Sequence, residues 1–265
     1  MKDRCRGSRH PGRSDGQSGQ VEAETAVVLP VMVFLLLGLI QMGLLNQAGI
    51  FAKYAAYRAV RTGALRNGKV ELMERAAVAA ALPILSWGKN HTEVLGRTDT
   101  AANWVKKWGL HGFMLNRMID FPVLKYAEVT ICGPTQKEVS GGTYNPGKNL
   151  AAFDNIETSS KGIHTKLRIK LVLNYRMIIP FANWVIHRMW RGERMTKELH
   201  LDARSIAIPS MDKKFVDHYP LYVTAAKTRD IFIIPIKTYY SMKMHSDIPV
   251  ELLPDSDDAC GKGKI

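Results

Sequence analysis

"SGQVEAETAVVLPVMVFLLLGLIQMGLL", residues 18–45, decides how the rest of this chain is organised. No charged side chain occurs from Thr25 to Ala52, and two acids, Glu22 and Glu24, stand just before that window. Roughly 20 helical residues at about 1.5 Å each cross the hydrocarbon core of a bilayer. Ala26 to Leu45 is long enough to do so and too uniformly apolar for an ordinary surface helix. Pro30 removes one helical hydrogen bond, which membrane helices tolerate better than soluble ones. Gly38 and Gly43 permit close helix contact but are five apart, so the four-residue small-xxx-small spacing is absent.

Upstream lies a basic leader with Lys2, Arg4, Arg6, Arg9 and Arg13 against Asp3 and Asp15. Positive charge stays on the cytoplasmic side of a following apolar helix, which predicts a cytoplasmic leader and an external location for everything after about Leu45. A secretory signal has a shorter apolar region of about 7–15 residues and a small-x-small cleavage site. This run is longer, so the sequence predicts a retained helix, either as a plain signal anchor or as something more specialised.

The acids bear on that choice. A carboxylate at the mouth of a membrane helix is expensive to bury and marks a functional-site candidate. Gly19 stands five residues before Glu24, and a cut between Gly19 and Gln20 would leave a new ammonium on Gln20 and a carboxylate at the fifth mature position. In a low dielectric the ammonium of one chain attracts Glu24 of a neighbour, but both lose hydration, so the pair favours a defined register more than it adds stability. The plainer reading is that Glu22 and Glu24 are acids at a helix start, favoured by the helix dipole.

Basic leader, Gly19, Glu24, Ala26, Leu29-Pro30 and the leucine run Phe34 to Leu37 together resemble the TadE-like minor pseudopilins of tight-adherence (Flp-type) pilus systems. The alanine- and arginine-rich "AKYAAYRAVRTGALRNG" at 52–68, "ERAAVAAALPIL" at 74–85 and "LRIKLVLNYRMIIPF" at 167–181 are similar to later features of that family. Thr25 stands where many Flp-type pilins place an aromatic, and Glu22 is an extra acid within the motif. The resemblance implies cleavage by a prepilin peptidase at Gly19 and Gln20, and assembly through Glu24 with other pilins or pseudopilins and an inner-membrane platform. It also implies a single-pass protein of the bacterial inner membrane with a periplasmic carboxy-terminal domain. Domain boundaries follow: a removed leader at 1–19, an amino-terminal helix at 20–66 with its span at about 26–45, and an extracytoplasmic α+β domain at 67–265. The alternative is an uncleaved bitopic protein whose external domain binds a ligand or polymer.

With 265 residues and 46% hydrophobic content, the chain has room for the anchor and one domain with a true core. The net charge of +13 is spread along the chain without a dense basic tract, which suits a solvated surface or weak binding of an anionic polymer. Cys5 lies in the leader; Cys132 and Cys260 remain after it, either as a disulfide in an oxidising compartment or as two unrelated thiols.

Beyond the span, Ile50, Tyr54, Tyr57 and Arg61 continue the helix to Ala64, with Gly63 or Gly68 to end it. A second helix covers Glu71 to Leu85, and a third places Ala101, Trp104, Val105 and Trp108 on one face. Tyr126 to Cys132 reads as a strand and 133–162 as an exposed loop. Strict alternation from Ile163 to Asn174 predicts a strand with one buried and one wet face. Ile178, Ala182, Val185 and Met189 follow at helical spacing, and Leu199–Ile208 and Ile231–Met242 read as strands, the last an edge or a bent strand because of Pro235. The expected class is α+β: a long membrane helix continuing into a helical stalk, then a small antiparallel sheet.

Chemistry-bearing motifs are weak. "GTYNPGKN" at 142–149 misses the Ser/Thr of a phosphate loop, Asn90-His91-Thr92 is an incidental sequon, and Asp255, Asp257 and Asp258 lack the rest of a calcium loop. The eight histidines form no metal-ligand pair, and Trp104, Trp108, Trp184 and Trp190 read as core. No catalytic residue, cofactor or metal is expected, and a membrane-anchored enzyme has no supporting constellation.

Overall fold

The computed structural model describes residues 18–88, 94–140, 144–145, 150–151, 166–191, 213–255 and 260. The leader with Cys5, the sequon Asn90-His91-Thr92, most of the 142–149 motif, residues 163–165, the segment Leu199–Ile208, and Asp257 and Asp258 lie outside them.

Helix α1 runs unbroken over Ser18–Leu65 and has two different surfaces. From Glu22 to Ile40 its side chains are mostly exposed, including Val27, Leu29, Phe34, Leu36 and Leu39. That exposed stretch is about 28 Å long at about 1.5 Å per residue, close to one hydrocarbon core. The helix is long and apolar enough to cross a membrane, and its most apolar stretch is almost wholly exposed.

From Ala48 onward α1 becomes the spine of the core. Ala48, Ala52, Ala55, Ala56, Ala59, Val60 and Ala64 are fully buried. Small side chains let the helix axis approach its neighbours closely, and it packs on α2 (Val70–Ala81) and on the sheet. The second half of the helix therefore does not stand clear as a bare stalk. Gly63 lies inside the helix, where any side chain would run into Met73 and Leu167. The helix ends through Asn67 and Gly68, both at positive φ (55° and 65°), with the Gly68 N–H donating to the Gly63 carbonyl at 2.9 Å. The Ala64 carbonyl accepts from His245 N (3.1 Å) and Ser246 Oγ (2.9 Å), which anchors the helix end to a distant turn.

After α2 and a 3-10 turn at Leu82–Ile84 come α3 (Ala101–Trp108) and the short α4 (His111–Met114). The main sheet is antiparallel with order β1-β4-β5: β1 Ala127–Gly133, β4 Lys166–Arg176, β5 Ile233–Lys243. α5 (Gln136–Ser140), β2 (Tyr144–Asn145) and β3 (Leu150–Ala151) follow β1; β2, β3 and β6 (Ile248–Pro249) form a second small sheet. Residues 133–162 were expected to be an exposed loop, yet Val139 and Ala151 are buried. A capping box explains why α5 forms there: Thr135 N donates to Glu138 Oε2 (2.8 Å) and Glu138 N to Thr135 Oγ1 (3.3 Å). Pro235 lies in β5, an edge strand in this sheet. α6 (Ala182–Arg191) and α7 (Lys213–Arg229) complete the α+β fold.

The central strand corrects the expectation of one wet face. Leu167, Ile169, Leu171 and Leu173 face the α1 side and are fully buried, but Lys170, Asn174 and Arg176 on the opposite face are also 3% exposed or less. Distant polar partners cover that face: Arg168 pairs with Glu138 (2.9 Å), and Tyr222 Oη of α7 donates to Asn174 Oδ1 (2.8 Å).

Gly63→Val should lower stability by about 1–3 kcal/mol through overpacking against Met73 and Leu167; thermal unfolding of the detergent-solubilised chain followed by circular dichroism measures it.

Candidate functional site

The residues singled out for processing and assembly sit at the start of α1. Gly19 and Gln20 are in its first turn, and Glu22 and Glu24 follow on exposed helix. Glu22, Thr25, Ala26, Leu29 and Pro30 line a shallow depression along one side of the helix. Their spacing is helical, so the acid, the alanine and the Leu-Pro pair share one stripe. Pro30 has no N–H, which leaves the Ala26 carbonyl without its usual partner four residues on. Gly38 and Gly43 have open space where a Cβ would be, leaving two notches on an otherwise bulky apolar rod.

Polar groups in the globular part are committed to holding the fold. Asp120 and Arg176 form an ion pair in which both side chains are 3% exposed. Gly88 N donates to both Asp120 oxygens (3.0 and 3.1 Å), Arg176 donates to the Gly88 carbonyl (3.2 Å), and Arg229 donates to the Asp120 carbonyl (2.8 Å). Burial pushes the Asp120 carboxyl up, while the Arg176 and Arg229 guanidiniums pull against it. This cluster ties the ends of β4 and α7 to two loops and leaves little access for a substrate. Glu74 of α2 does similar work, accepting from Lys125 Nζ (2.9 Å) and Asn116 Nδ2 (3.0 Å). Burial also raises the Tyr126 and Tyr222 hydroxyls well above their usual range.

α3 departs from its expected face. Trp104 and Trp108 stack with ring centroids 5.6 Å apart, but Val105 is exposed, and Lys107 is the buried residue of that helix. Lys107 Nζ donates to the Leu95 carbonyl and lies over the rings of Trp87 (5.4 Å) and Phe113 (5.9 Å). Burial pulls its ammonium down to about 8.

Cys132 at the end of β1 and Cys260 are joined by a disulfide, with Cα atoms 5.4 Å apart across 128 residues of sequence. Gln136 reinforces the same attachment, its N and Nε2 donating to the Pro254 and Leu253 carbonyls at 3.0 Å each. Among the described residues, no group of three or more His, Cys, Asp or Glu is placed to hold a metal ion. Sequence reasoning missed the Asp120–Arg176 cluster because its members are 56 residues apart and belong to no local pattern.

The stretch that carries these features is similar to a known family: the family model described as TadE-like protein matches residues 19–61, from the Gly19 candidate to the alanine-rich half of α1. No curated protein and no solved structure matches the chain.

Two outcomes test the buried groups. Asp120→Ala strands the Arg176 charge and should cost about 3–5 kcal/mol of stability, read by urea denaturation. Between pH 8 and 10.5 the unfolded chain keeps a proton that folded Lys107 has lost, so its contribution to stability grows as pH rises through that window. Lys107→Met should flatten that part of the pH profile of the urea midpoint.

Proposed function

We propose that this chain is a minor pseudopilin of a Tad/Flp-type pilus or related secretion pseudopilus, anchored and assembled through α1. The carrying observation is the TadE-like match over residues 19–61, which falls on a helix that is apolar and exposed over one bilayer thickness. Prepilin peptidase would cut between Gly19 and Gln20, with the basic leader on the cytoplasmic side and the globular part in the periplasm. Glu24 would then meet the new ammonium of a neighbouring subunit and set the axial register. Partners in this reading are the peptidase, other pilins or pseudopilins, the assembly platform and the lipid bilayer. The role is structural rather than catalytic.

The disulfide supports the periplasmic placement, because such bonds persist in oxidising compartments. An uncleaved bitopic protein with a ligand- or polymer-binding domain makes the opposite prediction about the amino terminus.

Intact-mass measurement of the membrane-extracted protein should show loss of residues 1–19 and a chain beginning at Gln20. Gly19→Val should keep its leader. Glu24→Gln should be processed normally, yet fall at least ten-fold in the sheared filament fraction. A mature chain that starts near Met1, or undiminished incorporation of Glu24→Gln, would remove the reading.

A further inference from the structure

Residues 178–191 turn apolar side chains outward. The inward positions of α6 are Ala182, Asn183 and His187, all buried, whereas Trp184 is 45% and Met189 58% exposed. Phe181, just ahead of the helix, is 73% exposed and held at a φ of 63°. A bulky residue in that left-handed region is strained, and such strain clusters at functional positions. The same helix lays Ile186 and Trp190 against the core, so its large apolar side chains are divided between an inward and an outward face.

The position of this face says what covers it. The Ile179 N–H donates to Gln41 Oε1 at 3.0 Å, Gln41 is fully buried, and α6 packs on α1. With the span at Ala26 to Leu45, Gln41 lies four residues, about 6 Å, inside the outer boundary. The start of α6 is thereby held at the depth where headgroups meet acyl chains. Leu39, Ile40 and Met42 of α1 are exposed at the same level, so the outward face of α6 continues the lipid-exposed belt. Tryptophan favours that boundary. The Arg188 guanidinium lies 4.0 Å from the centre of the Trp184 ring, where a long cationic side chain can reach phosphates. A cavity of about 690 Å³ lined by Ile178, Pro180 and Phe232, with Asn183 and Asp230 as its polar members, opens beside Phe181 and Trp184.

We infer that Phe181, Trp184 and Met189 insert into the leaflet on the globular side of the bilayer that α1 crosses, making α6 an interfacial helix that seats the globular part on the lipid. This rests on the proposed membrane span of α1.

The full chain, reconstituted in vesicles of phosphatidylethanolamine and phosphatidylglycerol with acyl chains brominated near the headgroup, tests it. Flotation reports the span, and quenching of tryptophan fluorescence reports α6. Wild-type protein should float and be quenched. Trp184→Phe should float equally and lose at least half of the quenched signal, Trp104→Phe should lose none, and Phe181→Trp added to Trp184→Phe should restore it. A floating chain whose quenching is unchanged by Trp184→Phe, or is unchanged because that face crosslinks to a second chain, overturns the inference while the span stands. A chain that does not float removes the span and this inference with it.

Discussion

One continuous helix has to satisfy two surroundings, and most of this structure follows from how α1 does so. Its first half is apolar on all sides and exposed, with no polar stripe to distinguish one face from another. Its second half carries a run of alanines narrow enough for α2, β4 and β5 to approach the helix backbone. A larger residue at Ala52, Ala56 or Ala59 would force these neighbours apart, because cores packed to crystal density absorb added volume poorly. The change from bulky aliphatics to alanine near residue 48 marks where the surroundings stop being solvent or lipid and become the protein's own core.

The polar groups in that core are arranged around the same helix. With α1 occupying one face of the central strand, the other face is covered by elements that bring Glu138, Tyr222 and Asp120 onto Arg168, Asn174 and Arg176. Glu74, Lys107, Asp120 and Arg176 each meet a charged partner or backbone groups, as burial requires. The disulfide and the two Gln136 bonds fasten the chain's last described residues to the end of β1.

Long-range partnership is also what separates the legible parts of this fold from the rest. The apolar run and the alanine spacing made α1 readable to within a residue of Ala64, and alternation from Leu167 to Leu173 made β4 readable, because both signals are local and periodic. The burial of Arg176 was not readable, since it depends on Asp120 and Gly88, which lie in loops far away in sequence. α7 itself went unseen because Pro220 interrupts it. Lys107 is buried where Val105 was expected because the Leu95 carbonyl accepts from its Nζ and two aromatic rings lie against it, contacts with residues outside the helix's own pattern. The outward aromatic face beside Gln41 needed the packing of α6 on α1 to be seen.

Continuity of α1 has a mechanical consequence. The helix passes from its exposed apolar half into the core with no intervening turn, and its far end is held by Ser246 and His245. Rotation or axial movement of the first half about its own axis must therefore carry the globular part with it, apart from what the missing hydrogen bond at Pro30 can absorb. A contact that sets the register of Glu24 would in the same step orient the sheet, α6 and the basic surface. Flexible attachment through a glycine-rich linker would have uncoupled the two, since such linkers transmit neither angle nor height.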